Sequence, residues 1–200
     1  MTGTRKDWFP TAIWHFDIED GDSLNSTLLR EIYRIQQNEP QSLGRSAVFG
    51  WHSHNQLHKL DTFQTFTKLV IDNVLEIAQF QKINTEIHMS RIDQCWALVN
   101  SQYAHNTLHN HPNSIYSGVY YLKAPSKSGS LIFRDPREIS HMWKIPVDDN
   151  TIWTAQNVEY EPKEGRMIIF PSWLLHQVQP NLSTEDRVSI SFNISFVSLQ

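Results

Sequence analysis

Three histidines and one arginine in the second half of the chain have types and spacing that could do chemistry. His109-Asn110-His111-Pro112 sets two imidazoles two residues apart, and His176-Gln177-Val178-Gln179-Pro180 adds a third, with Arg187 eleven residues further on. Side chains in a strand repeat with period two, so His109 and His111 can point from one side of a strand while a distant strand delivers His176. Three ligands cover one face of a metal's coordination sphere and leave three positions open. A metal needs that many if it is to hold a chelating cosubstrate and dioxygen together. The guanidinium of Arg187 could grip the far carboxylate of such a cosubstrate through two parallel, charge-assisted hydrogen bonds.

Each of these residues also has a plainer interpretation. His109 and His111 fit a surface loop before a proline in a chain with 10 histidines, and Arg187 fits a turn rich in Ser183, Thr184, Glu185 and Asp186. The pattern around Arg187 favours the site. In a strand that starts there, Ser189, Ser191 and Asn193 share its face while Val188, Ile190, Phe192 and Ile194 take the other, which suits a polar pocket backed by a core. Ser117, Val119 and Tyr121 form a similar face. Other candidates are weaker. His15-Phe16-Asp17 is literally His-x-Asp, but its neighbours form an ordinary amphipathic strand. His52-Ser53-His54 has no partner arginine nearby and is expected in a loop at the pocket mouth. His105 shares strand parity with His109, yet Tyr103 to Thr107 reads as a loop, so His105 is expected to be exposed or to lie behind the ligands. Arg134, Asp135 and Arg137 leave a strand in what is expected to be a solvated turn. Trp51, Trp96, Trp143, Trp153 and Trp173 are expected in the core rather than in a cofactor box.

The elements that must position these groups differ between the two halves. An opening strand is expected within Phe9 to Ile18, then a turn at Asp20-Gly21-Asp22 with Ser23 as helix cap. Leu24, Leu28, Ile32 and Ile35 follow at helical spacing. After a loop over Ser42 to Ser53, Asp61-Thr62-Phe63-Gln64 resembles a capping box leading into Phe66, Leu69, Val70, Val74, Ile77 and Ala78. From about Glu86 the chain turns to short β-branched and aromatic runs: Ile87 to Ile92, Trp96 to Asn100, Tyr116 to Leu122, Ser130 to Phe133, Ile152 to Val158, Arg166 to Phe170 and Val188 to Val197. That is a barrel or sandwich, with the helices packed outside the sheets. The 200 residues suit one domain, helix-rich over about 1–85 and β-rich over about 86–200.

Composition narrows the partners. With 17 basic and 21 acidic residues the formal charge is −4, and no basic block marks a nucleic-acid or anionic-membrane surface. Cys95 is the lone cysteine, so no intrachain disulfide, iron–sulfur cluster or cysteine zinc site can form, and a cytoplasmic location is expected. Met1 to Trp14 lacks an apolar leader core, and no apolar run is long enough to span a bilayer. A helix face free to pair copies into a homo-oligomer would serve equally well to pack on the barrel.

Order and spacing together carry a resemblance over most of the chain. Ser117-Gly118-Val119-Tyr120-Tyr121-Leu122 follows the His-x-His segment, then come Ser128-Gly129-Ser130-Leu131-Ile132-Phe133, Gly165-Arg166-Met167-Ile168-Ile169-Phe170-Pro171 before His176, and Arg187-Val188-Ser189-Ile190-Ser191-Phe192-Asn193 after it. The chain resembles the Fe(II)- and 2-oxoglutarate-dependent oxygenases, on the branch nearest the prolyl-hydroxylase-like and uncharacterised members. The resemblance implies a mainly β fold with flanking α-helices, a double-stranded β-helix of the jelly-roll, cupin-like kind. It implies Fe(II) on His109, His111 and His176, with 2-oxoglutarate as cosubstrate and O2 as oxidant. Arg187, Tyr121, Ser189 and Asn193 would bind the cosubstrate. The expected reaction is hydroxylation of an unidentified small molecule or side chain, with release of succinate and CO2.

One departure stands out. The family pattern is His-x-Asp or His-x-Glu, and here His111 holds the carboxylate position. Either three histidines bind the metal, or His111 stands aside and water completes a two-ligand site. Two other functions use the same residues: a three-histidine dioxygenase of the cupin kind without 2-oxoglutarate, and a non-catalytic metal-binding β-barrel.

Overall fold

The computed structural model describes residues 3–19, 21–43, 46–142 and 146–199. The first half supplies β1 (Trp14–Asp17), α1 (Asp22–Asn38), β2 (Ala47–Val48), β3 (Trp51–His52) and α2 (Gln64–Phe80). The second half supplies β4 (His88–Asn100), β5 (His105–His109), β6 (Tyr116–Lys123), β7 (Leu131–Arg134), a one-turn α3 (Ile139–Met142), β8 (Asn157–Tyr160), β9 (Arg166–Pro171), β10 (His176–Val178) and β11 (Arg187–Ser198). Two antiparallel sheets result, β1-β9-β6-β11-β4-β3 and β2-β5-β10-β7-β8. They meet through a cluster of Tyr121, Leu131, Phe133, Ile168, Phe170 and Leu174.

The helices cover the outside of the first sheet, as their spacing predicts. Leu28, Ile32 and Ile35 of α1 and Phe66, Val70, Val74 and Ile77 of α2 join one core with Val188, Ile190, Phe192 and Ile194 of β11. Those four β11 residues are the apolar half of the alternation read from the sequence, so the other half faces the opposite sheet. Gly118 of β6 lies under this layer, where an added Cβ would sit 2.3 Å from the Phe192 ring.

Several local expectations are corrected. Helix α1 begins at Asp22 with Gly21 at its N-cap and no side-chain cap, so Ser23 lies inside the first turn; Asp20 falls outside the described residues. Asp61–Phe63 is a 3-10 turn rather than a capping box, and Gln64 Nε2 instead donates to the carbonyls of His58 and Leu60 at 3.0 and 3.3 Å. The runs at Ile87 to Ile92 and Trp96 to Asn100 are one continuous strand, β4. Only the end of the Ile152 to Val158 run is extended, because hydrogen bonds among Thr151, Thr154 and Ala155 close a turn there. Tyr103 to Thr107 is a loop only at its start, since β5 begins at His105 and is held between β2 and β10.

Three bulges interrupt the ladders: Leu122 is an extra residue on β6 between the partners of Val188 and Ser189, and the other two lie in β4 and β5. Along β11, Asn193 pairs with Gln94 and Ile194 with Ile92, so Asp93 is an extra residue on β4. Along β10, His176 pairs with His109 and Val178 with Asn106, giving β5 an extra residue between them. A bulge breaks the strict alternation of faces, so neighbouring residues can turn to the same side.

Candidate metal centre

The separation of 67 positions from His109 to His176 is closed by a single strand pairing, since the two are register partners of β5 and β10. Their ring centroids lie 4.3 Å apart. His111, in the loop after β5, brings its ring to 5.0 Å from His109 and 5.1 Å from His176. One nitrogen from each ring falls within 4.8 Å of the others, a spacing that one ion can bridge. The backbone N–H of His111 donates to Ser172 O at 2.9 Å, which ties this loop to the chain just ahead of His176.

Backbone carbonyls set the tautomer of two of the rings. His109 Nδ1 is 2.6 Å from Thr107 O, and His176 Nδ1 is 2.9 Å from Leu174 O. A carbonyl can only accept, so in each ring Nδ1 carries the proton and Nε2 is left with its lone pair for a metal. His111 makes no such bond among the described residues. Its ring packs instead against Trp96 at 5.7 Å, and Trp96 stacks on His52 at 5.6 Å with planes 8° apart. Burial holds all three imidazoles below their ordinary pKa. His111 falls to about 4 through burial and then the neighbouring His109, and His176 to about 3 through burial, with His109 next. They are therefore neutral near pH 7, the form in which imidazole binds metal.

These rings line a cavity of about 980 Å³ that also holds Arg187, Tyr121 and Ser189 on its walls. Arg187 is 3 % exposed. Its Nη1 donates to Ser128 O at 2.6 Å and Gly129 O at 3.0 Å, which fixes the guanidinium plane and leaves the Nε and Nη2 edge as one fork. No carboxylate among the described residues pairs with it. Burial pushes its pKa down, and an unpaired buried cation is costly unless an anion joins it. Tyr121 is the register partner of Ser189, two residues from Arg187 on one face. Burial raises the Tyr121 hydroxyl to about 12 despite the opposing pull of Arg187, so it stays a donor through the neutral range.

The remaining candidates lie around this centre or away from it. His52 and His54 both line the cavity, but only His54 lies in the expected loop, since His52 ends strand β3; His105 is half-buried on β5 with Nδ1 3.2 Å from Tyr103 O. His15 pairs with Ile168 across β1 and β9, at the edge of the six-stranded sheet, whereas β5 and β10 belong to the other sheet. Asp135 and Arg137 bond each other at 2.8 Å outside the cavity. Among the tryptophans, Trp153 and Trp173 are exposed rather than core, and Trp143 falls outside the described residues. Asn193 shares the face of Arg187 but lies six residues along β11, bonded to Ser117 and Gln94. Gln94, Trp96 and Asn106 also line the cavity, and no sequence pattern marks them for it. Gln94 and Asn106 sit beside the bulges of β4 and β5, and a bulge leaves no periodic signal. Trp96 offers only its parity with Leu98 and Asn100.

The sequence matches a family described as "Putative 2OG-Fe(II) oxygenase" over residues 94–193. Comparison with curated proteins gives no match. Solved structures agree in fold. A prolyl-4-hydroxylase of Pseudomonas putida is 15% identical with a TM-score of 0.63, covering 92% of both chains. A prolyl hydroxylase from Trichoplax adhaerens, in complex with a hypoxia inducible factor peptide fragment, is 14% identical at 0.65, covering 92% of this chain and 83% of that one. HygX from Streptomyces hygroscopicus, with nickel and 2-oxoglutarate bound, is 12% identical at 0.62, with the same two coverages of 92% and 83%. The two sheets are thus a double-stranded β-helix of the kind that these oxygenases share.

Proposed function

This chain belongs to the 2OG-Fe(II) oxygenase family, and on that premise we propose that it is a dioxygenase that hydroxylates a small molecule or side chain through a three-histidine iron centre. The single observation that carries the reading is the meeting of three neutral imidazoles with a buried, carboxylate-free arginine in one cavity. Fe(II) would be held by Nε2 of His109 and His176 and by His111. The C5 carboxylate of 2-oxoglutarate would take the open fork of Arg187, with the Tyr121 and Ser189 hydroxyls as further donors.

With Fe(II) and 2-oxoglutarate bound, such a centre couples oxidative decarboxylation to insertion of oxygen into a C–H bond: substrate, O2 and 2-oxoglutarate give hydroxylated substrate, succinate and CO2. The chain's own groups do the positioning. Thr107 and Leu174 carbonyls keep protons on Nδ1 and off the metal-facing nitrogens. Ser128 and Gly129 aim the guanidinium. Tyr121, Leu131 and Phe170 wall the cavity with the buried cluster that Phe133 completes behind them, which keeps water from that side. No general acid or base is required.

Replacing the carboxylate by His111 has an electrostatic consequence. Three neutral ligands leave Fe(II) at +2, so a bound 2-oxoglutarate dianion brings the centre to zero net charge. A cupin-type dioxygenase would use the same histidines, but would leave Arg187 buried without an anion. Anaerobic titration separates the two. Fe(II)-loaded protein should develop the weak visible charge-transfer band of a chelate on adding 2-oxoglutarate. A band that needs a thiol instead of 2-oxoglutarate refutes the proposal in favour of the cupin chemistry, and no band under either condition leaves a non-catalytic barrel.

A further inference from the structure

The cavity extends past the histidines in the direction away from Arg187. Trp96, which packs on His111, pairs with Ser191, four residues from Arg187 along β11. Asn193 and Gln94 form the next pair on this face, about 7 Å beyond Trp96 along the strands. If the cosubstrate occupies the Arg187 side, a substrate must enter on the side of Gln94. That division of the cavity rests on the cosubstrate site proposed for Arg187.

The polar groups of this second half are ordered in one direction. Ser117 Oγ donates to Asn193 Oδ1 at 2.8 Å, and Asn193 Nδ2 donates to Gln94 Oε1 at 3.1 Å. The relay occupies one lone pair of Gln94 Oε1 and leaves both Nε2 hydrogens, which make no hydrogen bond among the described residues. His54 repeats the pattern. Its Nδ1 accepts the backbone N–H of Gln56 at 3.2 Å, so in the neutral ring the proton sits on Nε2. Both residues line the cavity. The charged groups here are already matched: Arg91 Nε and Nη2 lie 2.9 and 2.8 Å from Asp93 Oδ1, while Ser195 donates to Asp93 Oδ2. The bulge at Asp93 makes this possible, since it lets Asp93 and Gln94 both turn toward the cavity although they are adjacent in sequence.

We infer that Gln94 and His54 form a substrate subsite of hydrogen-bond donors that recognises an amide carbonyl. An uncharged acceptor fits where a carboxylate does not, because the nearby cation is paired and a centre already at zero charge gains nothing from a second anion. An aliphatic amine, an ammonium at neutral pH, would meet donors with donors alone. Amide carbonyls reach such a site from a peptide or from a free carboxamide, and the two sources are separable.

The test uses full-length protein loaded with Zn(II), as a redox-inert stand-in for iron, and 2-oxoglutarate. Binding of N-acetylalanine N-methylamide, a peptide stand-in, of free glutamine and of propylamine is measured by ligand-observed NMR titration. At least one amide should bind in preference to the amine. Gln94→Leu and the nearly isosteric Gln94→Glu should each weaken that amide about fivefold to tenfold, the effect of one hydrogen bond. Zn(II) and 2-oxoglutarate affinities, measured in parallel by calorimetry, should not move. Amide binding indifferent to Gln94→Leu, failure of both amides to bind wild type, or a preference for the amine overturns the subsite. Amides that bind with Gln94 dependence to a wild-type protein that ignores 2-oxoglutarate would instead overturn the cosubstrate assignment and leave the donor subsite standing.

Discussion

Replacing Arg187 by methionine isolates the carboxylate anchor. Two of its five N–H groups, both on Nη1, serve the Ser128 and Gly129 carbonyls, so the loss to a ligand is confined to the Nε and Nη2 fork. Two charge-assisted hydrogen bonds at roughly 1.5–3 kcal/mol each amount to about 3–6 kcal/mol, or a Kd raised on the order of 10² to 10⁴-fold. The unliganded protein should respond very differently. Removing a buried charge that lacks a carboxylate partner relieves its desolvation penalty, while leaving two carbonyls without a donor costs about 1–3 kcal/mol each. These oppose each other, so the apo Tm should shift by only a few degrees. Calorimetric titration of Fe(II)-loaded protein with 2-oxoglutarate under anaerobic conditions reads the first effect. Thermal melts with and without the cosubstrate read both, since a ligand at 100 times its Kd stabilises by about 2.7 kcal/mol. Wild type should melt higher with 2-oxoglutarate and Arg187→Met should not. Arg187→Lys keeps the charge without the fork and should fall between them. A methionine variant that binds 2-oxoglutarate as wild type does would refute the reasoning outright.

Four further outcomes are expected. His111→Ala should weaken Fe(II) at least about tenfold, whereas His111→Asp should retain it, as read by chelator competition; undiminished iron in the alanine variant would mean that His111 is not a ligand. Trp96→Leu removes the ring that holds His111 in place of a hydrogen bond, so metal affinity should fall about tenfold to a hundredfold while far-UV circular dichroism stays unchanged. Gly129 has φ +90° and would place a Cβ 2.3 Å from Gln179 O, so Gly129→Ala should lower Tm and, by moving a carbonyl that aims Arg187, weaken 2-oxoglutarate in calorimetry. In metal-free protein the buried imidazoles protonate at lower pH than they do unfolded. The unfolded chain therefore takes up protons first, and stability should be full above about pH 6.5 and decline as pH falls toward the folded values near 4 and 3. Urea midpoints measured across that range check the sign; a midpoint rising on acidification would contradict it.

Period-two alternation made β11 legible from sequence, since Arg187 through Ile194 sorts into a polar and an apolar face without a break. Helical spacing in the same way made Leu28, Ile32, Phe66 and Val70 recognisable as core at period 3.6. Legibility failed where the period was interrupted. The bulge in β5 sets Asn106 and His109 on the cavity side three residues apart, so the start of β5 carries no alternation and Tyr103 to Thr107 resembles a loop. The bulge in β4 hid Asp93 and Gln94 in the same way, and divided one strand of 13 residues into two apparent runs. Residues Ile152 to Val158 mislead for the opposite reason: apolar and β-branched types satisfy the strand pattern, yet Thr151 and Thr154 hydroxyls bond locally and close a turn. The histidine spacing was legible only through resemblance, because 67 residues of separation say nothing about register until β5 and β10 are paired.

The alternation of β11 also explains why the helices stand where they do. A strand with Arg187, Ser189, Ser191 and Asn193 on its inner face cannot contribute that face to an apolar sandwich core, so the folding free energy of this part of the sheet must come from the other side. Val188, Ile190, Phe192 and Ile194 are each 0 % exposed there, beneath α1 and α2. At roughly 1.5–3 kcal/mol for each large buried side chain, that layer offsets the burial of an unpaired guanidinium across the sheet. The consequence is asymmetric sensitivity. Substitutions under the helices should change stability and leave ligand affinities intact, while those on the inner face should change affinities with little effect on melting. Ile190→Ala and Ser189→Ala, one residue apart, make the comparison: the first should cost about 2–5 kcal/mol with an unaltered Kd for 2-oxoglutarate, and the second should do the reverse.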